Sequence, residues 1–381
     1  MLKHFFTILY RQFINNKMYM LIKLLGLSVG MAVSLLISLY VLHELSFDKF
    51  HKKAGNIYSV VGESHREGTV DRTAHITAAV GVSLQKEFPE ILSMCRFSMF
   101  NDTYFQNNDQ TILIRDVGFT DSTVFSIFSF GLLKGNPETA LKEPYSIVLT
   151  ESAARKLFED AEPLGKVLKY QGSHSLKVTG VMPDPPDNSH LQFGALISFS
   201  TLYRFDDYHL DWDGGWGYYT YILAREGTDW NAFMPKLKPF LEKHINAKYR
   251  NYGVEIRLLF DPLKEVYLYS SSSGDHPRNG DLSNILIFSA VAVFILLIAA
   301  INFMNLSTAR YSKRAKEVGV RKVLGAGRRH LRNQFLAESV LISIFALLLA
   351  MILVEIFLPT FNSMINKNLN LYSTSGYTLP L

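Results

Sequence analysis

A single cysteine, Cys95, in 381 residues excludes an intrachain disulfide, and a buried thiol is its expected state. Compact catalytic signatures are missing too, since the chain holds no Gly-Lys-Ser/Thr phosphate loop and no His-Glu-x-x-His zinc helix. Of the eleven histidines, His43, His51, His65, His75, His174 and His190 show no ligand-like spacing, so surface or structural histidine is a better reading than metal binding. The glycine-rich run Asp213-Gly-Gly-Trp-Gly217 is not followed by a Gly-Lys-Ser/Thr, which leaves a turn in place of a phosphate cradle. No enzyme is expected from these absences.

Charge is absent from the whole stretch Leu24–Leu42. Two further apolar runs, Ile285–Met304 and Ser339–Leu358, are each about 20 residues, enough for a helix to cross a ~30 Å hydrocarbon core. The first run exceeds the ~7–15 residues of a signal h-region and leads into His43-Glu44-Leu-Ser-Phe without a small-residue cleavage site, so it reads as an uncleaved anchor. Ahead of it, Leu2, Phe5, Phe6, Leu9 and Phe13 share one helical face with Lys3 and Arg11 opposite, a pattern suited to lying in the bilayer interface.

Between the second and third runs the stretch from Arg310 to Arg332 is densely basic, with Glu317 its only acid. The positive-inside bias puts this loop, and the N-terminus carrying Lys3, Arg11, Lys17 and Lys23, on the cytoplasmic side. The formal charge of +5 is thereby explained by topology, and no nucleic-acid partner is expected. The domain reading is an amphipathic helix at 1–17, spans at 18–43, 284–306 and 335–358, an extracytoplasmic domain at 44–283, a cytoplasmic loop and helix at 307–334, and an extracytoplasmic tail at 359–381.

The segment between the first two spans reads as mixed α/β. Strands are expected at Ile57–Val61, Thr111–Arg115, Tyr145–Leu149, Leu176–Val181, Tyr218–Leu223 and Val254–Leu259, all rich in β-branched and aromatic residues. Thr150 should cap a helix over Glu151–Phe158, and Thr120 or Asp121 the Phe-rich stretch that follows. Val181–Ser189, with three prolines, reads as an extended connector, and Ser270–Gly280 as a polar hinge into the second span. Within the spans, Gly26 and Gly30 form a small-xxx-small pair for close helix packing, and Asn302 and Asn305 are expected to bond a neighbouring helix. Glu355 is expected to snorkel to the outer interface.

Glu317-Val-Gly-Val-Arg-Lys-Val-Leu-Gly-Ala326, followed by Gln334-Phe-Leu-Ala-Glu-Ser-Val340, resembles the signature of FtsX-like permeases, membrane subunits of MacB-type ABC transporters. The N-terminal part is similar to these permeases too, in Gly26-Leu-Ser-Val-Gly30 and His43-Glu-Leu-Ser-Phe-Asp-Lys-Phe-His51, while Leu149–Phe158, Pro163-Leu-Gly165 and Val178–Pro186 resemble the MacB periplasmic core domain. The resemblance implies an inner-membrane, multi-pass permease that transmits ATP-driven motion to a periplasmic domain and exports or extracts an envelope substrate. It implies a separate ATPase holding ATP and Mg, with no cofactor or metal bound by this chain, a second permease copy or half, the bilayer as a partner, and leaves a periplasmic adaptor open. On this reading Lys316, Glu317, Val318, Gly319, Val320, Arg321, Lys322, Gly325 and Ala326 form the ATPase-coupling element: valines as knobs, charges setting register, and the Gly/Ala break turning the chain into the third span. The bland reading is a basic helix touching anionic lipid. Since the family has at least four spans, the chain is expected to be the first part of a longer permease. An FtsX-like envelope regulator or sensor without transport is the alternative function.

Overall fold

Alternation of inward apolar and outward polar side chains, the signature of strands in contact with a core, builds most of the chain between the first two apolar runs. The computed structural model describes residues 17–107, 110–205, 208–272, 276–309, 318–320, 323 and 327–371. It separates into a helical unit, Met1–Leu45 with Leu282–Leu381, and an α/β unit, Ser46–Asp281. In chain order the strands are β1 (Ile57–Arg66), β2 (Thr69–Thr73), β3 (His75–Ile76), β4 (Ile91–Ser98), β5 (Asn101–Asn107), β6 (Gln110–Thr120) and β7 (Lys134–Gly135). They continue with β8 (Ser146–Thr150), β9 (Val167–Tyr170), β10 (His174–Met182), β11 (Ala195–Ser198), β12 (Tyr218–Ala224) and β13 (Val254–Pro262). The helices used below are α1 (Lys17–Glu44), α2 (Ala78–Glu87), α3 (Val124–Ile127), α4 (Glu151–Phe158), α5 (Trp230–Leu241), α6 (Leu263–Tyr269), α7 (Leu282–Thr308) and α8 (Arg328–Ile365).

Six strands of the α/β unit close into a barrel in the order β11-β8-β10-β9-β5-β6, with β6 returning to β11. Two of its pairings are parallel, β8 with β10 and β6 with β11; the other four are antiparallel. Alternate residues point inward, so Phe105, Ile114, Ile147, Leu149, Leu168, Leu176 and Ile197 fill a common core. Helix α4 adds Ala153, Leu157 and Phe158 to it. As expected, Thr150 caps that helix, its Oγ1 accepting from Ala153 N at 3.3 Å.

At the register Phe97↔Thr120, β6 hands over to an antiparallel sheet in the order β4-β12-β1-β13. One face of this sheet carries Val60, Met94, Ile222 and Ile256 against Leu84 of α2 and Phe233, Leu237 and Phe240 of α5. The opposite face carries Cys95, Phe97 and Tyr221 against Ile127 and Phe128. The free side of β13 is blunted at one point, where the Asn246 amide accepts from Ile256 N at 2.8 Å and donates to Ile256 O at 2.9 Å.

Several local expectations change in the fold. Helix α3 starts after Thr123, and Asp121 is not its cap: the carboxylate holds the Arg96 guanidinium at 2.7 and 2.9 Å and also accepts from Arg96 N. Val181 and Met182 complete β10, so the proline connector proper is shorter and joins β10 to β11. The serine-rich segment is pinned where it begins: Ser270 Oγ, Ser271 N and Ser271 Oγ all donate to the Asp261 carboxylate, 2.7 to 3.0 Å away.

In the helical unit α1, α7 and α8 are each long and apolar enough to cross a membrane. The third runs 38 residues, ~57 Å at ~1.5 Å per residue, and continues through Pro359 to an Asn366 corner in the left-handed region. The segment from 359, expected as a tail, therefore begins helical. The amphipathic stretch expected at 1–17 lies outside the described residues except for Lys17.

Candidate functional site

Gly26 and Gly30 sit one turn apart on the same face of α1. A Cβ on Gly30 would lie 2.4 Å from Ala299 Cβ, and one on Gly26 would lie 3.1 Å from Asn302 Nδ2. The two helices run antiparallel, and each further turn adds a contact. Tyr19 donates its hydroxyl to Leu306 O, Lys23 Nζ stands 4.2 Å from the Phe303 ring centre, and Ser34 Oγ donates to Ala292 O at 3.2 Å. Helix α8 packs its own small residues here, Ala346 and Ala350 with Val354, all fully buried against Leu27, Ala32 and their neighbours. That second small-residue stripe, spaced i, i+4, i+8, was present in the sequence and not read from it. Residues 26 to 30 also spell Gly-x-Ser-x-Gly, but a nucleophile elbow needs a strand-to-helix corner. Ser28 is buried in mid-helix and donates to Leu25 O at 3.1 Å.

Lys316, Glu317, Arg321, Lys322, Gly325 and Ala326 lie outside the described residues. Val318, Gly319 and Val320 are helical; Val320 is 61% exposed and Val323 88%. A Cβ on Gly319 would meet nothing within 4 Å.

The sequence motif that follows the first span finds its physical reason in the α/β unit. Asp48, wholly buried and at φ 56°, donates its N–H to Asn188 O at 2.9 Å. Its Oδ1 accepts from Ser189 Oγ and His190 N, both at 3.2 Å. Its Oδ2 lies 2.8 Å from His190 Nδ1, an electrostatic contact off the line of a directed hydrogen bond. On the other side of the ring, His190 Nε2 shares a 2.6 Å hydrogen bond with the Tyr221 hydroxyl in β12. Asn188 Nδ2 donates to Ser46 Oγ at 3.0 Å, which ties both ends of the segment Ser46–Asp48 to Asn188–His190.

His51 closes the junction. Ser129 N donates to its Nδ1 at 3.0 Å, which leaves the ring proton on Nε2, 3.9 Å from Asp48 Oδ1. Burial lowers its pKa to about 4, outweighing the pull of Asp48. Residues ahead of the second span reach the same place. The His276 ring is 6.1 Å from His190 and stacks on Tyr219, and burial, then His190 and His75, lower its pKa to about 3. Tyr267 of α6 stacks on Phe47 and accepts from Gly280 N at 2.7 Å through its carbonyl. Among the described residues no group of three or more His, Cys, Asp or Glu side chains is arranged to hold a metal. Both chain roots of the α/β unit thus end in one buried cluster.

A helical unit of three candidate spans and a strand-rich unit inserted after the first of them are matched by two family models, the MacB-like periplasmic core domain over residues 20–240 and the FtsX-like permease C-terminal over 289–381. The chain belongs to the MacB/FtsX-like permease family. Among curated relatives it is similar to the macrolide export ATP-binding/permease protein MacB of Neisseria gonorrhoeae, 25% identical over 247 residues, which cover 63% of this chain and 34% of that protein. The MacB of Haemophilus ducreyi is 34% identical over 218 residues, 56% of this chain and 28% of that one. The match thus spans about a third of the length of these relatives. A solved domain of a permease protein from Porphyromonas gingivalis has the same fold, with a TM-score of 0.51 and 20% identity over 62% of this chain and 98% of that domain. This permease is accordingly a membrane protein with a periplasmic-type α/β domain.

Proposed function

We propose that the chain is the membrane subunit of a MacB/FtsX-type ABC transporter, one that converts ATP-driven closure of a partner ATPase into movement of its outer domain. The N-terminus and the loop from Arg310 to Arg332 lie in the cytoplasm of the inner membrane, and the ATPase, carrying ATP and Mg, docks on Lys316–Ala326. A second permease copy or half completes the transporter. The substrate class is an envelope one: an antimicrobial peptide, a drug or a lipoprotein.

The observation that carries this reading is the convergence of both chain roots, Ser46–His51 and His276–Gly280, on the buried Asp48–His190–Tyr221 cluster. A domain meant to be driven through its two connections needs them fastened to its core, because a loose root would absorb the displacement. The α1–α7 contact serves the same end, since close-packed small residues leave little room for slack.

The test is ATP hydrolysis. The full chain is purified from native membranes with magnesium and a non-hydrolysable ATP analogue, then reconstituted with the ATPase that accompanies it. Replacing Glu317 or Gly325 is expected to abolish stimulated hydrolysis while membrane insertion is retained. Full stimulation in both variants, or recovery of wall-remodelling proteins and no ATPase, would overturn the proposal.

A further inference from the structure

At the rim of the barrel lies a cleft of about 490 Å³, bounded by the β4–β5 turn, β6, the β9–β10 turn and the Asp213–Gly217 corner. Ligand pockets for small molecules span roughly 300–1,000 Å³. Two of its floor residues are Tyr170 and Tyr218, only 6% and 7% exposed. Neither hydroxyl makes a hydrogen bond to any described residue, and neither oxygen is sealed from solvent, so both open onto the cleft. Each ring is held in the fold while its O–H faces the cleft, so the two phenols are positioned donors that a ligand entering the cleft and displacing water would have to satisfy.

The rest of the cleft narrows what that ligand is. Tyr208 stands close enough that, after burial, it is the next cause raising the pKa of both Tyr170, to about 12, and Tyr218, so the phenols stay protonated donors. Among the described residues no lysine or arginine lines the cleft, His209 is its one basic side chain, and Asp102 is its one acid, engaged by Asp116 N at 3.2 Å. Phosphates and other anions therefore find no permanent cation among the described lining residues. A wholly apolar molecule would leave both phenols unpaired, which is costly in a buried site. The half-buried Trp216 and Phe119, which belongs to the barrel core, complete the aromatic lining, and the rim is polar, with Asn101 and Gln171.

The walls are preformed. The Trp216 indole lies on β1 at Gly62, where a Cβ would come within 2.6 Å of the ring, and Tyr170 is wedged edge-on against Phe119 with ring centres 6.1 Å apart. Apolar C–H faces against aromatic rings, with a periphery of hydroxyls against phenols and carboxamides, are the chemistry of a sugar ring.

We propose that this cleft is a binding site for a neutral saccharide unit. The site is independent of the ATPase-coupling reading, and its test needs no ATPase. The full chain in lipid nanodiscs is titrated calorimetrically with N,N′-diacetylchitobiose and with maltotriose, with inorganic phosphate and a cationic peptide as comparisons. Saturable binding of at least one oligosaccharide is expected, weakened about 10-fold by Tyr170→Phe and by Tyr218→Phe, each of which removes one oxygen and no ring. Tyr104→Phe, at an exposed phenol outside the cleft, should leave it unchanged. Absence of saturable heat with both sugars, unaltered affinity in both cleft variants, or tighter binding of phosphate or peptide would overturn the proposal.

Discussion

His51 and His276 are histidines whose surroundings accept only the neutral ring. For His51 to gain a proton, Nδ1 would have to stop accepting from Ser129 N; for His276, a charge would appear beside His190 and His75 in a dry site. Their folded pKa values, about 4 and about 3, lie below the unfolded value of 6.5. The unfolded chain therefore binds more protons once the pH drops below 6.5, and stability falls with pH from there down to about 4 for His51 and about 3 for His276. Each pH unit separating the folded from the unfolded titration is worth about 1.4 kcal/mol, so the loss should reach a few kcal/mol by pH 4. Denaturant unfolding at pH 7 and pH 4.5 checks this: the midpoint should fall in the wild type and fall less in His276→Gln. At this scale the sequence was partly readable. A buried thiol was the expected state of the lone Cys95, and it is fully buried beside Thr120, its pKa raised by burial. The grip of Asp48 on Ser189 and His190 lies about 140 positions away in the chain, so no local spacing could announce it.

Elements were legible where their pattern was dense. The six segments rich in β-branched and aromatic residues fall on strands, save for Tyr145, a turn residue ahead of β8, and the three long apolar runs lie in helices. Strand β4 was missed because Ser93, Cys95, Arg96 and Ser98 dilute its apolar alternation, although Arg96 is buried there as the partner of Asp121. Strand β11 has only four residues, and its place depends on pairing with β6 and β8, which are distant in sequence. For the helices a graded prediction follows from the contact distances. Gly30→Ala puts a methyl against Ala299 Cβ, so the helices must part, and a loss of about 1–3 kcal/mol is expected. Gly26→Ala meets only the end of the Asn302 side chain and should cost less than half as much. Thermal unfolding of the purified protein in lipid should rank the wild type first, Gly26→Ala next and Gly30→Ala last.

On the scale of the whole molecule, the division into membrane helices and an inserted α/β unit was visible as a change in composition, and barrel closure was not. Closure rests on the single parallel pairing of β6 with β11, a contact between segments that share no local signal. Its consequence is mechanical and kinetic. In an open sheet one strand may slip by a residue pair while its neighbours stay; in a ring such a slip must be repeated around the circuit until it returns to its starting point. The six barrel strands are therefore locked in register together and should open as one cooperative group. Hydrogen–deuterium exchange should show the central amides of β6, β8, β10 and β11 protected with a common opening free energy, while β13, bonded along one side and held at Ile256 by Asn246, exchanges earlier. A tube that opens only all at once holds its stability as one quantity, shared by every strand in the ring.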